Sequence, residues 1–150
     1  MQTYGPAVLR LAVGTIFVAH GAQKLFGVWG GPGLSGTATF MGQLGLGPGF
    51  PLALLVAVVE FIGGLMLIIG AFALFAALAL AVVMGVAIWK VHLAAGFFLA
   101  TGGYEYNIVL LGALICLMLT GPGAFSIDGR RARSAEAEAY GRARLRAGKV

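Results

Sequence analysis

An all-α integral membrane four-helix bundle, with a short interfacial helix on its extracytoplasmic side, is the fold class this sequence predicts. Three observations predict it. Of its 150 residues 60% are hydrophobic and 10% charged, with a mean hydropathy of +0.98, against roughly 25% charged residues in soluble domains. Apolar runs long enough to cross ~30 Å of hydrocarbon recur along the chain, separated by stretches rich in Gly and Pro. The net charge of +5 lies wholly beyond Asp128, because up to that residue Arg10, Lys24 and Lys90 cancel Glu60, Glu105 and Asp128.

The first span covers about residues 7–27. Pro6 opens it, at a helical position where a missing N–H removes no hydrogen bond. A cleavable signal peptide would carry a basic stretch ahead of its apolar core; only Arg10 is basic there, and the run continues to Phe26. Between Val28 and Gly49 two glycine-rich clusters, Gly30-Gly31-Pro32-Gly33 and Gly45-Leu46-Gly47-Pro48-Gly49, bracket a less regular segment. Inside it Ser35 caps a short helix whose Phe40, Met41 and Leu44 share one face, a pattern for lying on the membrane apolar side down.

Pro51 to Ala100 is almost continuously apolar. As one helix it would be about 75 Å long, so it must fold in two. Gly70-Ala71-Phe72-Ala73 is the turn this predicts, giving spans at about 51–69 and 74–98, and the last span runs from about 105 to 120 before Gly121-Pro122-Gly123. Helix contacts in lipid favour small residues. Ala73, Ala77, Ala81 and Gly85 on the third span, and Gly112, Cys116 and Thr120 on the fourth, repeat every four residues and read as packing seams, as do Gly63 and Gly64 on the second. The single cysteine, Cys116, is then a small packing residue, and the chain alone can form neither a disulfide nor a Cys-x-x-Cys pair.

The chain thus divides into a membrane domain, residues 1–128, and a basic tail, residues 129–150, in which Arg130, Arg131, Arg133, Arg142, Arg144, Arg146 and Lys149 face only Glu136 and Glu138. The tail reads as helical after Ser134, with an i,i+4 pair Glu138–Arg142. A basic flank stays cytoplasmic, and an even number of spans puts both termini on that side, in agreement with Arg10 at the inner end of the first span. Attraction to anionic lipid explains the tail better than nucleic-acid binding, since among its arginines only Tyr140 is aromatic.

This topology gathers the ionisable residues of the spans, Arg10 excepted, into the extracytoplasmic half. Intramembrane charges are costly and by default functional. His20 and Lys24, four apart, share one helix face; Glu60 is mid-span, where a carboxylate must pair or be protonated, and Gly63-Gly64 beside it admit a close neighbour. Lys90 and His92 point to nearly opposite sides, and we place His92 toward Glu60, while Glu105 begins the last span at the outer face. The expected ligand pocket is therefore His20, Lys24, Glu60, Lys90, His92 and Glu105. Plainer readings stand beside it: Lys24 snorkelling to the interface, His20 bonded to a backbone carbonyl, and Trp29, Trp89, Tyr104 and Tyr106 as interfacial anchors. No metal site is expected, because no close ligand pair such as His-x-x-x-His occurs.

His20-Gly21-x-x-Lys24-x-x-Gly27, Glu60-x-x-Gly63-Gly64, His92 with Gly96-Phe97-Phe98, Gly103-Tyr104-Glu105 and Gly121-Pro122-Gly123-x-x-Ser126-x-Asp128 together resemble the bacterial DoxX family of small four-span proteins, over about residues 5–128. The resemblance implies a four-helix membrane bundle in the inner membrane and a relation to a membrane subunit of thiosulfate:quinone oxidoreductase. A quinone is accordingly the one cofactor expected, none being intrinsic. Without a flavin, haem or iron–sulfur motif in the sequence, electrons would come from a partner. The expected partners are membrane lipids, a soluble or membrane oxidoreductase and a second copy of the chain, with no nucleic acid. A carrier for a small anionic or lipidic molecule, with the residue 34–46 helix as its lid, and a structural scaffold for a partner enzyme are the alternatives.

Overall fold

The computed structural model describes residues 4–147, and every regular element among them is helical. The helices are α1 (Tyr4–Phe26), α2 (Gly33–Gln43), α3 (Gly49–Ile69), α4 (Ala73–Ala87), α5 (Glu105–Thr120) and α6 (Ile127–Ala147). Three segments, Tyr4–Phe26, Gly49–Ile69 and Ala73–Ala95, are long and apolar enough to cross a membrane. With 16 residues α5 is shorter, rising about 24 Å. Its ends are those expected from the sequence, and Pro6 and Pro51 sit in the first turns of α1 and α3.

The four long helices close into a ring, α1 on α3, α3 on α4, α4 on α5 and α5 back on α1, with α2 laid against α3 and α1. Glycines set the α1–α3 seam. A Cβ placed on Gly64 would lie 2.7 Å from Gly14 O and Val18 N, and one on Gly21 would lie 2.7 Å from Phe61 Cα. Without side chains at these positions the backbones meet directly, which is how helices gain contact in a solvent as apolar as their own surfaces. Gly63 faces the other way, toward Leu80 of α4. Val13, Phe17, Leu67, Leu80, Met84, Leu110, Leu114 and Leu117 fill the centre, and Ala53, Ala57 and Ala77 are fully buried. Outward, Val8, Leu55, Phe75, Val82, Val109 and Leu119 are exposed, an apolar surface suited to lipid rather than water.

The structure revises four sequence expectations. Gly85, Gly112, Cys116 and Thr120 face outward, and a Cβ on Gly85 or Gly112 would meet nothing within 4 Å. The buried stripe of α5 is instead Asn107, Leu110, Leu114 and Leu117, because leucines, not a glycine seam, fill the space between α1 and α4. The helix of α4 gives way to a π-turn at Ile88–His92 and a single 3-10 turn at Leu93–Ala95, ending short of residue 98. Ser35 does not cap α2: Pro32 stands at the cap position, while the buried Thr37 donates its hydroxyl to Gly33 O at 2.8 Å. Of its expected apolar face, Phe40 is exposed and Met41 and Leu44 are half-buried. Finally, α6 starts at Ile127, well before Ser134. Lys149 lies outside the described residues.

Candidate functional site

Among the described residues, one ion pair lies within the bundle. Lys24 Nζ of α1 donates to Glu60 Oε2 of α3; the glutamate side chain is 3% exposed and the lysine 25%. Gly21 explains the meeting. One helical turn before Lys24 it brings α1 against the backbone of Phe61, which carries the lysine across to the residue next to Phe61. Phe26 and Phe61 pack edge to face, 5.6 Å between centroids, and Phe26 is 64% exposed. The result is a buried carboxylate, a cation with one open side and an aromatic wall on the outside of the bundle. Each group thus finds its partner of opposite sign inside the protein, which is what makes a carboxylate so far from water tolerable.

The other four residues of the expected pocket are used elsewhere. His20 is exposed, and its Nδ1 lies 2.9 Å from Ile16 O of its own helix, where the N–H donates to the carbonyl. Lys90 stands over the ring of Trp89, 4.0 Å from its centroid. His92 and Glu105 flank the loop between α4 and α5, His92 in the π-turn after α4 and Glu105 as the first residue of α5. There His92 Nδ1 lies 2.7 Å from Gly102 O, and a Glu105 oxygen accepts from Leu99 N. Backbone bonds from Gly103 N to Phe98 O, Tyr104 N to Gly96 O and Glu105 N to Phe97 O fold this loop back on itself. His92 and Glu105 therefore organise a loop instead of facing Glu60.

A second polar centre, at the opposite end of α1, was not among the expected site residues. Arg10 is 1% exposed, and its guanidinium donates to five carbonyls. Nε reaches Pro122 O at 3.0 Å, one terminal nitrogen reaches Leu67 O at 3.0 Å and also Ile68 O, and the other reaches Ala124 O at 3.0 Å and Phe125 O at 2.8 Å. The carbonyls of Leu67 and Ile68 belong to the last turn of α3, where no further helical turn follows to donate to them; Gly70 N shares Leu67 O, at 3.1 Å. Gly70, left-handed at φ 66°, turns the chain directly beneath; a Cβ there would lie 3.2 Å from Arg10 Cζ. Asp128 then caps α4, accepting from Phe72 N at 3.1 Å and Ala73 N at 2.9 Å, while its own N donates to Gly70 O at 2.9 Å. Ser126 Oγ donates to Gly123 O and accepts from Gly129 N. The signal in the sequence is an arginine seven residues into an apolar helix. Its partners are main-chain oxygens, which no side-chain pattern announces.

Comparison with known proteins places these residues in context. The DoxX family model matches residues 5–93, a stretch that includes Arg10, Lys24 and Glu60. The chain is 34% identical over 124 residues to a Bacillus subtilis protein named "Putative oxidoreductase CatD", covering 83% of this chain and 84% of that protein. It is 29% identical over 128 residues to the Escherichia coli inner membrane protein YqjF, covering 85% of this chain and 92% of that one. An uncharacterized Haemophilus influenzae protein is 30% identical over 140 residues, covering 87% and 95%. No solved structure matches the chain.

Proposed function

The chain belongs to the DoxX family, and from that premise we propose that it is an inner-membrane subunit or accessory protein of a quinone-linked oxidoreductase, meeting the quinone head group at Lys24 and Glu60. The observation that carries this reading is the Lys24–Glu60 pair, a carboxylate 3% exposed held to a lysine that keeps an open side. Converting a quinone to a quinol takes two electrons and two protons. A partner oxidoreductase supplies the electrons. What this chain contributes is an ammonium donor for a quinone carbonyl and a carboxyl group that can hold and pass a proton. The exposed Phe26 beside Phe61 offers a flat ring an apolar surface open to the lipid phase, where quinones reside. In this reading both termini are cytoplasmic and the Lys24 end of the bundle is extracytoplasmic. A carrier for a small anion finds less support, because Lys24 is already balanced by Glu60.

Binding of short-chain ubiquinone and menaquinone analogues to the purified protein tests the proposal. Lys24→Met and Glu60→Gln are each expected to weaken binding by roughly tenfold or more, the loss of one charge-assisted hydrogen bond. Absent binding, or affinities equal in the wild type and both variants, would overturn it.

A further inference from the structure

We propose that α6 lies along the membrane surface and that its arginines bind the phosphate head groups of an anionic lipid leaflet. The starting point of the helix supports this first. Asp128 fastens its opening turn to the turn between α3 and α4, by its carboxylate to Phe72 N and Ala73 N and by its own N–H to Gly70 O, so α6 leaves the bundle where the four long helices end and not in the water beyond. Tyr4, Phe72 and Phe125 are exposed around this junction, the Tyr4 and Phe125 rings are 5.9 Å apart, and the Arg131 guanidinium lies 5.9 Å from the ring of Phe72. Tyrosine at such a level is characteristic of the head-group region.

Charge and face agree with that placement. Once Asp128 is engaged as a cap, Arg130, Arg131, Arg133, Arg142 and Arg144 are opposed by Glu136 and Glu138 alone. At 100° per residue, Ile127, Arg130, Arg131, Ser134, Gly141, Arg142 and Leu145 share one side of the helix. Two apolar residues flanked by arginines can seat their stems at a lipid surface while the guanidinium groups reach phosphate. Glu138 is on this side too, 3.9 Å from Arg142. Tyr140 projects from the other side, so stacking against nucleic acid bases has no aromatic contribution from the basic face. From Arg130 to Tyr140 every side chain is exposed. A helix that buries nothing against its own chain gains stability from an external surface of opposite charge.

The test uses the full chain with Cys116→Ala and either Leu145→Cys or Ala139→Cys carrying an environment-sensitive fluorophore. It is reconstituted in nanodiscs of phosphatidylcholine alone or of phosphatidylcholine with phosphatidylglycerol. In the anionic discs the label at 145 is expected to shift to the blue and to be shielded from acrylamide, while the label at 139 stays accessible and added salt reverses the effect. Arg130→Gln, Arg131→Gln and Arg142→Gln together should reduce the surface-bound population on the order of a hundredfold, about fivefold for each arginine. Glu136→Gln with Glu138→Gln should raise it. Equal shielding in both kinds of disc, or none in the anionic ones, overturns the proposal. So does shielding that appears only on adding duplex DNA or polyglutamate, which would assign the helix to a nucleic acid or an acidic protein.

Discussion

Arg10 and Asp128 hold one turn from its two sides: Arg10 donates to Leu67 O at 3.0 Å in the last turn of α3, and Asp128 accepts from Ala73 N at 2.9 Å in the first turn of α4. The carbonyl end of one helix is thus served by a cation and the amide end of the next by an anion, the signs that each helix dipole favours. Lysine cannot replace Arg10, because one ammonium carries three donors and lacks the planar fork that spans α3 and the loop after α5. Arg10→Lys is expected to leave at least two of the five carbonyls without their charged donor and to cost roughly 2–4 kcal/mol. Thermal unfolding of the purified protein in detergent measures this, and a melting temperature equal to the wild type would refute the role.

Asp128 acts locally. Asp128→Ala should cost about 1–2 kcal/mol, the range for losing a charged helix N-cap, and Asp128→Asn should recover part of it. Hydrogen exchange locates the effect: the amides of Phe72 and Ala73 should exchange faster in Asp128→Ala while those of α1 remain unchanged.

The bundle was legible in the sequence because lipid demands helices and long apolar runs, and composition alone displays both. Lys24 and Glu60 were legible for the same reason, each being too costly in an apolar span to go unpaired. Which residues meet was harder to read. The partner of Glu60 depends on how far α1 and α3 rotate and approach, and that is set by Gly14, Gly21 and Gly64, inconspicuous in a chain with 25 glycines. The sequence places His92 toward Glu60 and Glu105 at the outer face, but nothing in it shows that the chain between them folds into a compact loop whose main-chain groups engage both side chains. Arg10 sat near the expected inner end of a span, where a cation needs no special partner, and its acceptors are main-chain atoms more than 50 residues away.

Glu60 and Lys24 should behave asymmetrically under substitution. Breaking a buried pair from one side typically costs about 3–5 kcal/mol, whereas replacing both partners by apolar residues is often neutral. With the lysine a quarter exposed, Lys24→Met is expected near the lower end of that range and Lys24→Met with Glu60→Met close to the wild type. A double-mutant cycle on melting temperature in detergent reads the coupling. Additive losses would show that the two side chains do not stabilise one another.

Glycine substitutions separate the seam that forms from the one that does not. At Gly64 a Cβ would press within 2.7 Å of Gly14 O and Val18 N, main-chain atoms of a neighbouring helix that cannot swing aside. Gly64→Ala is therefore expected to push α1 from α3 and destabilise by about 1–3 kcal/mol, as overpacking does. Gly21→Ala should do the same against the backbone of Phe61 and, by lifting α1, should also loosen the Lys24–Glu60 pair. At Gly85 and Gly112 the added methyl meets nothing within 4 Å. There the gain in helix propensity, about 0.5–1 kcal/mol, has nothing to oppose it. Gly85→Ala and Gly112→Ala should raise the melting temperature slightly or leave it unchanged. A large loss at either outward position would mean that another helix, from a second copy of the chain or from a partner, packs against that face.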